Sequence, residues 1–236
     1  MSLTHQPTPG SVEEATGALA GSLARALRST GDGVGVRSCL GSWDQRASGL
    51  AAIRVLGADV LAPFLLTGQP LRQEEASLVR AAVRAYPAPQ VHAPEATLWG
   101  VRDAALSAAL ARLGVDTAGW EGLAATCSAG PLAADWVTLA AYLVRLSTAA
   151  HPLLDPELSR SLVSRRLDIE RGLVRALLRR DLLSSARLAR WLLALAAEGR
   201  PPLSLPPMLD HLEVVGAPDP RVRFETAIAR RLSDSR

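Results

Sequence analysis

Residues 155–199 read DPELSRSLVSRRLDIERGLVRALLRRDLLSSARLARWLLALAAEG, and this stretch decides the fold class. Leu, Ala and Arg dominate it, and all three lose little side-chain freedom in a helix. Its apolar positions recur at steps of three and four and never alternate strictly, which is helical periodicity. Asp155, Pro156 and Glu157 read as N-cap, N1 and N2. Gly199, Pro201 and Pro202 stop the chain at the far end. The stretch predicts a Leu- and Arg-rich helix to about Asp181 and a second helix over 185–198.

The same punctuation extends in both directions. Ser11 is placed to cap a helix with Glu13 and Glu14 in its first turn, closed by 31–35. Ser42 opens a helix that stops near Gly57; 59–66 is a short third and 72–86 a fourth, with Glu74 and Glu75 at its positive end. Pro94 and Glu95 open a helix that Gly114 closes, Asp116 one that ends before Gly130, and Pro131 the next. Asp219 and Pro220 start a last helix through Leu232. The only strand candidate is 212–215. The expectation is an all-α fold, a multi-helix bundle or an irregular αα-hairpin array of about ten helices. No fixed repeat period holds along the chain.

Pro87, Pro89 and Pro94 around His92 mark the best linker. The predicted organisation is a disordered arm over 1–10, a helical subdomain over 11–86, a Pro-rich linker over 87–94 and a C-terminal helical domain over 95–236. All 26 basic residues are arginine, which points to coding bias in a GC-rich bacterial genome rather than to selection at every site. Two cysteines, Cys39 and Cys127, are too few to staple 236 residues, so a reducing cytoplasm is the expected compartment. The polar start is neither signal peptide nor anchor. The apolar stretch 132–150 is interrupted by Asp135 and Arg145 and reads as a core helix, so no membrane partner is expected.

Reactive constellations are sparse. Asp32, Gly33, Val34, Gly35, Val36 and Arg37 lack the third spaced glycine, the Lys and the preceding strand of a phosphate loop. Cys39 has no base at a motif spacing and reads as a tolerated thiol. His5, His92, His151 and His211 fall in loop-like stretches without an i, i+4 partner, and Asp210, His211 and Glu213 are neighbours that point apart. No catalytic, metal or cofactor site is therefore assigned. Asp135, Thr138, Tyr142 and Arg145 form a polar stripe opposite Trp136, Leu139, Ala140 and Leu143, ordinarily a solvated face.

Charge is more informative. Residues 159–200 carry ten arginines against Asp168, Glu170, Asp181 and Glu198, a net charge of +6, whereas 1–158 carry a net −3. In one continuous helix Leu162, Val163, Leu167, Leu173, Val174 and Leu177 line one side and Arg171, Arg175 and Arg179 the other. Arg166 and Glu170, four apart, fall near the apolar side, placed for an interhelical ion pair. The expected binding face comprises Arg165, Arg171, Arg175, Arg179, Arg187 and Arg190.

With a break at Asp168 the same residues resemble the helix-turn-helix of bacterial regulators. Ser164, Leu167, Ile169, Val174 and Leu177 fill its small and apolar places, with Asp168 where Gly is usual and Gly172 inside the second helix. The resemblance implies Arg171, Arg175 and Arg179 facing a duplex. The leading expectation is instead a non-enzymatic helical scaffold, an adaptor or complex subunit, binding another protein for which an acidic surface is the natural match. A DNA-binding regulator built on residues 160–180 is the alternative. An α-helical enzyme comes third, since nothing in the order of Glu, Asp, Tyr and His assigns one a role.

Overall fold

A computed structural model describes residues 7–28, 43–89, 95–124, 134–151, 156–195 and 203–234, and among these it is all-helical without a strand. The α-helices are α1 (Pro9–Arg28), α2 (Trp43–Leu56), α3 (Ala62–Thr67), α4 (Gln73–Ala85), α5 (Glu95–Arg112), α6 (Trp136–Arg145), α7 (Pro156–Ser164), α8 (Arg166–Leu178), α9 (Leu182–Ala194), α10 (Leu205–Val215) and α11 (Pro220–Asp234). A 3₁₀ turn over Gly57–Leu61 joins α2 to α3, so the expected count of about ten helices holds. Helices α4, α2, α1, α11, α9, α8 and α6 follow one another as packed neighbours, so α8 lies near one end of the array.

One main core runs from Leu19 on α1 to Leu232 on α11 and draws side chains from both sides of the Pro-rich stretch. The helix α1 packs on α11, so the two expected subdomains share that core. At its centre Trp191 is fully buried and its indole donates to the Leu143 carbonyl at 2.8 Å. The stretch Ala47–Thr67 is long and apolar enough to cross a membrane, but 78% of it is buried against the rest of the protein, as in a core helix.

Several expected boundaries move. The helix α1 begins at Pro9 rather than after Ser11, with the Thr8 carbonyl accepting from the Ser11 hydroxyl at 2.8 Å. No helix opens at Asp116: residues 115–124 are turns, and the Asp116 carboxylate accepts from the Ala118 amide in a local turn instead of starting a helix. The next helix starts at Trp136, because Asp135 accepts from the Val137 and Thr138 amides at 2.9 and 3.2 Å. The strand candidate 212–215 is the end of α10, whose Pro206 and Pro207 sit where missing amides do no harm. Tyr142 leaves the expected polar stripe and is buried, whereas Asp135, Thr138 and Arg145 are exposed. The glycines of 33–37, Cys39, Cys127, His5, His92, Pro94, Pro131, Asp155 and Gly199 lie outside the described residues.

The basic segment changes most. It breaks at Arg165, not Asp168: the Arg165 amide donates to Leu162 O at 3.0 Å, ending α7, and Arg165 O accepts from Asp168 and Ile169 to begin α8. Asp168 also accepts from Arg165 Nε at 2.7 Å, where its charge favours the first turn. Leu167, Asp168 and Ile169 are thus all helical. The break rotates the phase, so α8 buries Ile169, Gly172, Leu173 and Ala176 while Leu167 and Val174 turn outward. The tight corner comes after α8, where Arg180 takes φ +58° as the left-handed cap and Asp181 N bonds Ala176 O at 3.0 Å. Asp181 then caps α9 through the Ser184 amide. The helix α9 buries Arg190, Trp191 and Leu192.

Gly172 marks the closest approach of α8 to α6. A Cβ there would stand 2.6 Å from the Ala140 Cβ, with no flexible chain end to yield. Gly172→Ala is expected to destabilise by about 1–3 kcal/mol despite the gain in helix propensity. Urea unfolding should show a lower midpoint at unchanged slope, and Ala140→Gly should restore it; equal or greater stability of Gly172→Ala would refute the close crossing.

Candidate functional site

Among the described residues no group of three or more His, Cys, Asp or Glu is placed to hold a metal ion. An open trough of about 670 Å³ runs along the outer face of α8. Leu167, Val174, Leu178, Trp136 and Leu203 supply its apolar lining, and Arg171, Arg175 and Arg179 its charge. Leu178 is 81% exposed, Leu167 58% and Val174 40%. Single exposed leucines are ordinary, but these three share one helix face and one trough. Among the described residues α8 packs mainly on α9 and α6, through the face that carries Ile169, Gly172, Leu173 and Ala176.

The arginines of the trough are available to different degrees. Arg171 Nη1 donates to Asp168 at 3.2 Å yet stays half exposed. The Arg175 guanidinium lies over the Trp136 ring, 5.5 Å from its centroid, which fixes both walls against each other. Neither Arg175 nor Arg179 has a carboxylate partner among the described residues, and Arg179 is exposed. At the base, Glu170 is buried with Oε1 3.7 Å from Arg166 Nε. Burial raises its carboxyl above the ordinary range, with Arg166 opposing. Arg166 and Glu170 thus meet within α8, four residues apart, rather than between helices as expected.

The other expected face residues are placed elsewhere. Arg165 is half-buried, donating to Asp168 and to the Ala134 carbonyl at 2.7 Å. Arg187 Nε donates to Glu225 at 2.9 Å. Arg190, 1% exposed, is the hub of an interior network: its fork grips Asp59 at 2.6 and 2.9 Å, reaches Glu225 at 3.0 Å and donates through Nε to Ala150 O at 2.7 Å. Burial opposes the Arg190 charge, but Asp59 and Glu225 outweigh it and hold the guanidinium ionised. The basic segment thus divides into a surface set, Arg171, Arg175 and Arg179, and an interior set that ties α9 to α11 and to the turn before α3.

No protein-family model matches this chain, and no curated protein or solved structure is significantly similar to it.

The site's chemistry therefore rests on its own geometry. Asp210 and Glu213 both pair with Arg230 of α11, Glu213 at 3.3 Å, and His211 is exposed beside them. That arrangement ties α10 to α11. His151 is buried against Arg190 and Asp59 in the wall of a cavity of about 10 Å³, too small for a substrate. Sequence reasoning missed the trough because its marker, two leucines and a valine on the arginine side of α8, is assigned to the core when the helix is run continuously through Arg165.

Proposed function

We propose that this chain is a non-enzymatic docking protein, an adaptor or complex subunit, that holds an acidic, partly apolar surface of another protein against α8. The observation that carries this reading is the trough itself: a row of apolar side chains, exposed among the described residues, edged by Arg171, Arg175 and Arg179. Apolar anchors supply affinity, and a one-sign rim steers and orients an oppositely charged partner. Arginine suits the rim, since its planar fork binds carboxylates bidentately. A DNA-binding reading has one observation in its favour, the spacing of the three arginines at every fourth residue on a net-positive segment.

The test is charge reversal at all three positions, Arg171→Glu with Arg175→Glu and Arg179→Glu, assayed by association with a co-purifying partner and with random duplex DNA across a salt series. Circular dichroism should show the fold retained, because Arg171 and Arg179 are exposed and Arg175 lies half-buried over the Trp136 ring at the trough's edge. The docking reading expects negligible duplex binding by the parent and a partner association slowed about tenfold or more in the variant. Salt-dependent duplex binding that the variant abolishes, with the slope reduced by roughly one unit per lost phosphate contact, would give the site to DNA instead. Unchanged interactions would sink both readings.

A further inference from the structure

We infer that the occupant of the α8 trough is an amphipathic helix of three to four turns, with an apolar stripe at i, i+3/i+4 and i+7 and Asp or Glu flanking that stripe on the side that meets the arginine row. The inference rests on the docking reading and specifies its partner. Leu167, Val174 and Leu178 stand at i, i+7 and i+11 on one helix, a stripe about 16 Å long at 1.5 Å per residue. Such spacing matches the ridges of a second helix laid alongside, where side chains seven apart return to the same face. An extended peptide repeats its same-face side chains at roughly 6.7 Å and gains its affinity from a sheet edge, and the described residues contain no strand to supply one.

Three further observations narrow the choice. The trough is open along its length and edged rather than roofed, so it does not enclose a small ligand as a drug-sized site does. Arg171, Arg175 and Arg179 lie in a row, neighbours on the helix surface at steps of four, so a partner helix meets them with carboxylates repeated at its own steps of three and four. The same row disfavours a second copy of this chain docked face to face on the trough, because like charges would meet. Three turns of helix bury an area at the small end of specific interfaces, so the binding is expected in the micromolar range, about 1–100 μM.

The test is selection of a displayed library of random 16-residue peptides on the full chain, repeated on the Arg171→Glu/Arg175→Glu/Arg179→Glu variant. On the parent, enriched peptides should share apolar residues at i, i+3/i+4 and i+7 with flanking Asp or Glu. On the variant the apolar spacing should persist while Lys or Arg replaces the acids. Synthesised hits should lose about tenfold or more in affinity on Leu178→Ser, and similarly when Pro is placed at their centre. Acidic hits that lack the spacing, or that bind equally well with the central Pro, would overturn the helix inference and leave the acidic docking surface standing. Hits that are basic on the parent or indifferent to charge reversal, or the absence of any enrichment, would overturn both.

Discussion

Replacement of Arg190 by Met is expected to destabilise the fold by about 3–5 kcal/mol, a large share of the roughly 5–15 kcal/mol that holds a typical domain together. The side chain is 1% exposed and joins four separate parts of the chain: α9 that carries it, Asp59 in the turn before α3, Glu225 on α11 and the Ala150 carbonyl after α6. Met fills similar volume, so the loss is not a cavity. It is the removal of the cation that balances two buried carboxylates, of which Glu225 keeps Arg187 and the Ser147 hydroxyl while Asp59 loses both arms of its fork. The measurement is urea or thermal unfolding of Arg190→Met beside the same change in an Asp59→Asn background. The neutral amide should recover part of the loss, giving a coupling energy well above the few tenths of a kcal/mol seen for independent sites. Additive effects, or a midpoint close to that of the parent, would show that the network contributes little.

The second large effect is a fall in stability with acid that His151 carries. Burial, reinforced by the nearby Arg190 charge, pushes its imidazole down to about 4 from the ordinary 6.5, against a hydrogen bond to the Ala105 backbone. The ring is therefore neutral in the fold at pH values where the unfolded chain would protonate it. Between about 6.5 and 4 the unfolded state binds more protons, so the stability that the neutral ring allows is full above 6.5, declines as pH falls and levels off below 4. The shift corresponds to roughly 3 kcal/mol. Urea unfolding at pH 7.5, 6, 5 and 4 should show this decline in the parent and a shallower one in His151→Gln. Parallel curves for the two proteins would remove His151 as the cause. The site cavity offers no relief, since about 10 Å³ between Asp59, Leu65, Leu66 and Arg190 holds no more than one water.

Both effects arise in residues whose role the linear order hides. Arg187 and Arg190 are indistinguishable in sequence from Arg171, Arg175 and Arg179: all lie in one basic, Leu-rich run at helical spacing. What separates them is which helix each belongs to. The α8 arginines face outward because Ile169, Gly172, Leu173 and Ala176 take the inward face, whereas α9 is surrounded by α6, α8, α10 and α11 and has no outward face for Arg190 to occupy. A helix buried on all sides can carry an arginine only if carboxylates meet it, and these come from residues 131 and 35 positions away. No local pattern encodes that meeting. The phase error at α8 has a similar origin, since Arg165 is an ordinary helix residue by propensity and ends α7 only because the chain turns there to bring α8 against α6 and α9.

The sequence by itself determined the helical class, the approximate number of helices and the starts of α2, α4, α5, α7 and α11. Those signals are local: an Asp or Pro satisfies or tolerates the free amides of a first turn wherever the helix is later placed, as Asp219 does at the start of α11. It also determined the excess of positive charge over 159–200, because charge is a sum over composition. The tertiary structure alone decided which arginines are surface and which are core, where the long basic segment breaks, and that Leu167, Val174 and Leu178 are left uncovered. Exposure is a property of neighbours, and the neighbours of α8 are set by packing between segments far apart in the chain, through contacts as close as Gly172 against Ala140.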